Sequence, residues 1–291
     1  MNTKGIIPAL LTPFDENHDV NYDSLRLLVN RLIGQGVGGF YVCGSTAESF
    51  LLSDEERMKI VEVVTEEVNG RVDVIAHVGS INQRKAIEYA KHAQSCGVKA
   101  ISSVPPFYFK FKKEEIANYY GAITDAVDVP MIVYCIPTLS NVTIKADDIP
   151  DILKVCNVGG IKYTSYDLYE LEKIKRRFPD MKIFYGHDEV FCNALPIGID
   201  GAIGATFNVM PHKFIAIQKA FEEGNLKKAF EIQQEANAIL DVLIKNDTKP
   251  SMKYLLTKSG IPSGGARPPF LPLTEEKKRE LDSIYSLIYE K

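Results

Sequence analysis

The sequence lacks the features that mark membrane proteins and nucleic-acid-binding proteins. It has no run of 18 apolar residues, so we expect no membrane span. Its 34 lysines and arginines are outnumbered by 38 aspartates and glutamates, and the net charge is −4. A chain with this net charge lacks the excess of basic residues that is typical of nucleic-acid-binding proteins, so we expect no nucleic-acid partner.

Cysteine is scarce, and histidine shows no metal-binding pattern. The five cysteines form no CxxC pair and lie mostly inside apolar runs, so we expect free thiols in a reducing compartment. The five histidines show no HxxH or HExxH spacing, and we expect no metal site. The first residues, MNTKGIIPALLTPFDE, meet proline and acidic residues too early for a secretory signal. We therefore predict a cytoplasmic protein.

Strand-like and helix-like segments alternate along most of the chain. Continuous apolar runs, typical of strands covered on both faces, occupy residues 5–10, 39–43, 72–78, 99–105, 130–135, 158–164, 182–187 and 201–206. Amphipathic helix patterns occupy residues 21–33, 82–94, 112–126, 147–155, 167–178, 188–195 and 212–221. Ser53 and Glu56 form a capping box that opens one more helix.

This alternation predicts a closed barrel of α/β class. Eight strands, each followed by a helix, fit a TIM (β/α)8 barrel over residues 1–224. A doubly wound open sheet is the alternative, but no GxGxxG loop follows the first strand. Residues 225–291 contain only helical patterns, at 226–245, 251–258 and 274–289. They predict a helical appendage that packs against the barrel or a neighbouring subunit.

Active sites of such barrels lie at the carboxyl ends of the strands, where Lys162 and Tyr134 are predicted to lie. Desolvation of a lysine in an apolar strand lowers its pKa, and the neutral amine can form a Schiff base with a ketone. The alternative is a lysine paired with a carboxylate or directed out of the strand. Tyr134, on the adjacent strand, is either a proton shuttle or a core tyrosine.

Three loops carry further candidates. Ser45 and Thr46, in GSTAE, can present hydroxyls and backbone N–H groups to a carboxylate, with Glu48 bracing the loop; the alternative is a plain tight turn. Asp188 and Glu189 are either acceptors for sugar hydroxyls or acidic residues that favour a helix start. Tyr108 also lies in such a loop, where an aromatic residue can form a lid, an interface or a second proton relay.

As a set, these segments resemble one known family. PALLTPF at 8–14, GSTAE at 44–48, the YxIP at 134–137 and GGIKYT at 159–164 are similar to the pyruvate-dependent aldolase/lyase family that includes N-acetylneuraminate lyase and dihydrodipicolinate synthase. No arginine follows Tyr134 in the next eight residues, unlike the usual dihydrodipicolinate synthase pattern. The run from Tyr134 to Val142 and the segments 160–174, 185–191 and 201–208 resemble the N-acetylneuraminate lyase branch instead.

That resemblance implies roles for individual residues. Lys162 forms a Schiff base with the substrate, so no separate cofactor is needed, and Tyr134 moves the proton of the hydroxyl at the bond that breaks. Ser45 and Thr46 bind the carboxylate, and Thr46 also links to Tyr134. The positions that match sugar contacts are Thr164, Gly186, Asp188, Glu189 and Ala205. Tyr108 matches a tyrosine that the family contributes across a subunit interface, and the family suggests a homotetramer.

Two residues depart from the pattern that this branch usually shows. Ala47 replaces a glycine, so it must fit without a left-handed backbone angle or accept strain. Ala205 replaces a serine that contacts the sugar and cannot donate that hydrogen bond. The implied reaction is cleavage of N-acetylneuraminate, a sialic acid, to N-acetylmannosamine and pyruvate. The alternatives are a 2-keto-3-deoxy sugar acid aldolase, a dihydrodipicolinate synthase-like enzyme, or a silent barrel that binds a keto acid.

Overall fold

The structure, a computed structural model, describes residues 3–289 and is built around eight parallel strands. The strands are β1 (Gly5–Pro8), β2 (Gly39–Val42), β3 (Asp73–His77), β4 (Ala100–Ser103), β5 (Met131–Cys135), β6 (Val158–Tyr163), β7 (Lys182–Tyr185) and β8 (Gly201–Gly204). From β2 to β8 each strand pairs with the next one, and β1 pairs with β8. Directly after β1, Ala9 forms a parallel bridge with Tyr41 of β2, in which the Leu10 N–H donates to the Tyr41 carbonyl at 2.9 Å. The predicted (β/α)8 barrel is confirmed.

Helices follow the strands on the outside of this barrel. Within residues 3–289 they are α1 (Tyr22–Gly34), α2 (Asp54–Val68), α3 (Gln83–Ser95), α4 (Lys113–Thr124), α5 (Pro137–Ser140), α6 (Ile149–Leu153), α7 (Leu168–Arg177), α8 (Phe191–Ala194), α9 (Pro211–Glu222), α10 (Leu226–Lys245), α11 (Thr248–Lys258) and α12 (Glu275–Tyr289). The predicted capping box opens α2, because Ser53 accepts from the Glu56 N–H and Glu56 accepts from the Ser53 N–H. None of these described helices is long and apolar enough to cross a membrane.

The segment predicted as a helix over 188–195 is helical but is not one regular α-helix. The segment is instead a 3₁₀ turn at Asp188–Val190, the four-residue α8, and a second 3₁₀ turn at Leu195–Ile197. Asp188 does not cap a helix, because its carboxylate accepts hydrogen bonds from Thr206 on the following loop. A tertiary contact therefore overrides the local helix signal.

Two apolar clusters hold the barrel together. A large cluster lies between strands and helices, while a smaller one fills the barrel interior and includes Ile7, Ile75, Ile132, Tyr134 and Phe184. The interior is thus a packed core rather than a channel. A side chain that points into it at a strand end is removed from water.

The C-terminal helices α10 and α11 contact loops at the carboxyl end of the barrel strands, and α12 packs against both of these helices. Gln233 of α10 donates to the Asp188 carbonyl at 3.0 Å, and Asn237 donates to the Glu189 carbonyl at 3.0 Å. The predicted boundary after residue 224 falls in the turn between α9 and α10. The division into a barrel domain over 1–224 and an appendage over 225–291 stays a prediction. The appendage nonetheless fixes the position of the Asp188–Glu189 turn.

Candidate active site

Lys162 and Tyr134 lie side by side at the centre of the site. They are direct partners in the β5–β6 register, and each is only 4% exposed. The Lys162 Nζ lies 4.1 Å from the ring centroid of Tyr134 and 4.1 Å from that of Tyr41. The two residues predicted from strand position are therefore brought together.

Burial shifts the pKa values of these two groups in opposite directions. Desolvation lowers the pKa of Lys162 to about 7, although the negative charge of Asp188 opposes the shift. Desolvation also raises the pKa of Tyr134 to about 12, which the hydroxyls of Thr164 and Ser45 partly offset. Near neutral pH about half of the amine is neutral and available as a nucleophile, while the phenol keeps its proton.

Tyr41 and His77 belong to the same interior, and sequence reasoning did not single them out. The Tyr41 hydroxyl donates to Ser102 Oγ at 3.0 Å, and Ser102 donates to a backbone carbonyl. His77 accepts from the Val104 N–H at Nε2, and burial lowers its pKa well below the usual value. An aromatic residue within an apolar strand has the same sequence signature as core, so no local signal distinguished Tyr41.

The loop after β2 presents Ser45 and Thr46, which are half-buried beside the barrel mouth. The loop is folded by the Ala47 N–H and Ser49 N–H, which donate to the Gly44 carbonyl at 3.1 and 3.4 Å. Left-handed angles occur at Cys43 (φ 57°) and Glu48 (φ 59°) and not at Ala47. Alanine thus replaces the expected glycine at 47 without the left-handed strain considered above.

Glu48 braces this loop through a buried ion pair with the appendage. Its Oε1 lies 2.7 Å from the Nζ of Lys253 on α11, and both side chains are 0% exposed. Its Oε2 accepts from the Arg267 N–H at 2.7 Å. Lys253, which the sequence did not reveal, therefore links the C-terminal helices to the loop that presents Ser45 and Thr46.

Asp188 is buried on the opposite side of the site, and its Oδ2 accepts from the Thr206 N–H at 2.8 Å and the Thr206 hydroxyl at 2.7 Å. Gly204 makes room for it, because a Cβ there would lie 2.1 Å from Asp188 Oδ1. Desolvation raises the pKa of Asp188 to about 6, with the Thr206 hydrogen bonds opposing. The carboxylate is thus held in place and mostly ionised at neutral pH.

Glu189 is held by two aromatic neighbours. Its Oε1 lies 3.2 Å from His187 Nδ1 and accepts from the Tyr166 hydroxyl, and the rings of Tyr166 and His187 stack at 3.9 Å. Burial alone would raise the pKa of Glu189, but the hydrogen bonds from His187 and Tyr166 outweigh it and lower the pKa to about 2. Both carboxylates face tertiary partners, which does not fit a role confined to favouring a helix start.

Comparison with known proteins agrees with this geometry. The model of the Dihydrodipicolinate synthetase family matches residues 2–287. The chain belongs to this family. Among family members, an N-acetylneuraminate lyase of Citrobacter koseri is 41% identical over 283 residues, which cover 97% of this chain and 95% of that relative.

Solved structures of the family are also similar to this chain. CdNal from Clostridium difficile, in complex with mannosamine, has a TM-score of 0.96 and 36% identity, with 99% of this chain and 100% of that chain covered. The N-acetylneuraminate lyase from Fusobacterium nucleatum complexed with pyruvate has a TM-score of 0.94 and 32% identity, with 99% and 98% covered. The family likeness therefore extends over the whole barrel and the appendage.

Thr164, Gly186 and Ala205 complete the rim predicted from the family pattern. The Thr164 hydroxyl is buried and makes no hydrogen bond of good geometry within residues 3–289. A Cβ at Gly186 would lie 1.9 Å from that hydroxyl, so only glycine leaves it free. Ala205 is half-buried next to Thr206 and supplies no hydroxyl of its own. A substrate hydroxyl can therefore pair with Thr164 but not with Ala205.

Tyr108 is not part of the site within its own chain. It is 84% exposed, has a φ of 79° and packs edge-on against the ring of Phe109 at 5.1 Å. An exposed tyrosine with a left-handed backbone angle is uncommon, and such strain persists where function or an interface requires it. Its role across a subunit interface stays a prediction. No group of three metal-ligating side chains is found within residues 3–289.

Proposed function

We propose that this chain is a Schiff-base aldolase that cleaves N-acetylneuraminate to N-acetylmannosamine and pyruvate. The observation that carries the proposal is Lys162, an amine with a pKa of about 7 in an apolar barrel interior, 4.1 Å from the ring of Tyr134. A neutral amine is the form that attacks a ketone. The 41% identity to the Citrobacter koseri lyase supports the choice of substrate.

The proposed reaction begins with imine formation. The Lys162 amine attacks C2 of the open-chain sialic acid, and the resulting carbinolamine loses water to give a protonated imine. The substrate carboxylate is held by the hydroxyls and backbone N–H groups of Ser45 and Thr46. Because Tyr134 keeps its proton near neutral pH, its phenol can donate that proton as the C2 oxygen leaves as water.

Bond cleavage follows from the imine. The C4 hydroxyl loses its proton, the C3–C4 bond breaks, and its electron pair moves into the protonated imine to give an enamine. We propose that Tyr134, left as a phenolate when the C2 oxygen departs as water, accepts this proton and becomes a phenol again. N-Acetylmannosamine then leaves, and C3 of the enamine takes a proton from the Tyr134 phenol to give the protonated imine of pyruvate. Water hydrolyses this imine to release pyruvate and neutral Lys162, and the proton set free returns to the Tyr134 phenolate.

Asp188, Glu189 and Thr164 are proposed to hold the sugar portion. Glu189 has a lowered pKa and stays ionised, so its carboxylate can accept hydroxyl protons. Thr164 offers a buried hydroxyl that approaches Tyr134 but makes no hydrogen bond of good geometry in residues 3–289. Buried hydrogen bonds to charged groups contribute about 1.5–3 kcal/mol each. The runner-up, a 2-keto-3-deoxy sugar acid aldolase, is favoured only by Ala205, which lacks the hydroxyl expected in the lyase branch.

The test is pyruvate release measured across N-acetylneuraminate, N-glycolylneuraminate and plain keto-deoxy acids. We expect sialic acids to be preferred. A preference for the keto-deoxy acids would instead indicate a 2-keto-3-deoxy sugar acid aldolase. If none of these compounds is turned over, the protein is a catalytically inactive barrel that binds a keto acid. The cytoplasmic location and the homotetramer are proposed on the sequence and the family pattern.

A paired variant tests the sugar contacts directly. Asp188→Asn with Glu189→Gln should lower kcat/KM for sialic acid by about tenfold or more, because two charged acceptors are lost. Borohydride trapping of pyruvate on Lys162 should persist in the same variant, because the carboxylate-binding loop is separate. Equal kcat/KM in variant and parent would contradict the sugar-binding role, and loss of trapping would point to a general disturbance of the site.

A further inference from the structure

The active site opens beside a cavity that none of the residues proposed to hold the sugar lines. It has a volume of about 350 Å³ and extends from Ser45 to the C-terminal appendage. Its walls are mostly apolar and include Phe107, Ile136, Leu139 and Phe270. Lys249, at the start of α11, is the one lysine that lines it within residues 3–289.

The positive charge of Lys249 has no carboxylate dedicated to it in this position. It is half-buried, and its Nζ lies 5.0 Å from the ring centroid of Phe270. Burial lowers the pKa of Lys249, while the carboxylate that opposes this shift belongs to Glu48. Glu48, however, is already in contact with Lys253 Nζ and the Arg267 N–H. Within residues 3–289, Lys249 therefore has no carboxylate of its own.

The other two cations at this end of the cavity have carboxylate partners. Lys253 pairs with Glu48, and Arg267 is bound to Glu56 and also feels the charge of Asp19. Among the residues that the structure describes, Lys249 is the cation at this end that forms no ion pair, and it lines an apolar cavity. In such surroundings a charge is weakly screened, and an anion that enters is attracted more strongly than in water.

A second polar group of the cavity also lacks a partner. Ser49 lines the cavity, and its hydroxyl is buried without a hydrogen bond within residues 3–289. Buried polar groups without partners are uncommon in folded proteins and call for a ligand or a water. Ser45, which is proposed to bind the substrate carboxylate, lies on the same wall.

We propose that Lys249 is a specificity-determining residue that supplies the positive charge for the carboxylate of the 2-oxo acid as it enters through this cavity towards Ser45. The proposal rests on the proposed function and extends it, since the family pattern provides hydroxyls and backbone N–H groups for that carboxylate but no cation. The charge acts on the anionic substrate, pyruvate or sialic acid. It should not affect a neutral sugar such as N-acetylmannosamine.

The experiment compares Lys249→Met, which removes the charge, with Lys249→Arg, which keeps it. Lys227→Met, at an exposed position of α10, is the control for the loss of one positive charge. The first readout is the pyruvate concentration that gives half-maximal borohydride trapping on Lys162. The second is the KM for pyruvate and for N-acetylmannosamine in the condensation direction.

We expect Lys249→Met to raise the half-saturating pyruvate concentration about tenfold, a size between an exposed ion pair and a buried hydrogen bond to a charged group. The KM for N-acetylmannosamine should stay within about twofold, and Lys249→Arg and Lys227→Met should resemble the parent. Equal pyruvate saturation in Lys249→Met and the parent would overturn the proposal. A parallel rise for the neutral sugar would overturn it as well, because that indicates a general disturbance.

Failure of the proposed function gives a different result. If pyruvate is not trapped on Lys162 of the parent at any concentration, the Schiff-base chemistry itself is refuted and the role of Lys249 with it. If pyruvate is trapped but N-acetylneuraminate is not cleaved, only the sugar assignment fails. The trapping readout then still decides whether Lys249 attracts the carboxylate.

Discussion

The pKa of Lys162 makes a quantitative prediction about pH. Burial lowers this pKa to about 7, whereas an exposed lysine has a pKa of about 10.4. At pH 7 about half of the Lys162 side chains are then neutral, against about one in 2,500 for an exposed lysine. The amine loses its proton as pH rises, so the rate of imine formation should increase about tenfold per pH unit below this pKa and level off about one unit above it.

The assay is rapid mixing with pyruvate between pH 5.5 and 10, followed by a quench into excess borohydride at one fixed pH. Mass mapping of the peptide that contains Lys162 then reports the adduct formed at each pH. Lys162→Arg is the control, since its guanidinium stays protonated and cannot form the imine. A fixed quench pH ensures that the profile reports imine formation and not the reduction step.

Asp188 refines the interpretation of this profile. Its pKa of about 6 lies close to that of Lys162, and its charge raises the lysine pKa, so the observed midpoint belongs to the coupled pair. Asp188→Asn should move the midpoint to lower pH. A rate that still rises tenfold per unit between pH 8 and 9, or an adduct on a lysine other than Lys162, would refute the reasoning.

Three further changes test other parts of the site. Tyr134→Phe should fold normally and lose about 10²–10⁴-fold in pyruvate release, the usual scale for a general acid–base group; unchanged turnover would exclude the phenol as proton carrier. Tyr108→Ala should lower activity and weaken assembly, because this exposed side chain is proposed to approach a neighbouring active site; a parent that sediments as a fully active monomer would contradict this. Lys253→Met should lower the free energy of unfolding by about 3–5 kcal/mol, because Glu48 is left buried and unpaired. Adding Glu48→Gln should restore much of that loss in thermal unfolding, and no recovery would show that the ion pair is not the cause.

The sequence predicted the barrel and its central pair because both depend on local patterns. Continuous apolar runs placed all eight strands, and Lys162 and Tyr134 were selected because each ends a strand. Adjacent parallel strands in register then bring two such residues together. Similar local signals, such as the capping box at Ser53, were also reliable.

Contacts between distant segments could not be predicted in this way. Glu48 meets Lys253 across more than 200 residues, and neither position carries a local signal for a buried ion pair. Lys249 similarly reaches the cavity beside Ser45 only because α11 packs against the loop after β2, which carries Ser45 and Glu48. The irregular form of the helix expected at 188–195 also involves a distant contact, since Thr206 binds the Asp188 carboxylate at its start.

The barrel interior explains why the lysine and the tyrosine can work as a pair. In water both groups have a pKa near 10, so at neutral pH the amine is charged and cannot attack a carbonyl. Desolvation disfavours both ions, which leaves Lys162 near 7 and Tyr134 near 12, so the amine is freed while the phenol keeps its proton. Apolar surroundings alone would oppose the protonated imine that must follow, because it is a cation. The negative charge of Asp188, which raises the pKa of Lys162, favours a cation at that nitrogen and so offsets part of this effect. The dry interior therefore favours the attack by the neutral amine, and the nearby carboxylate favours the cationic intermediate.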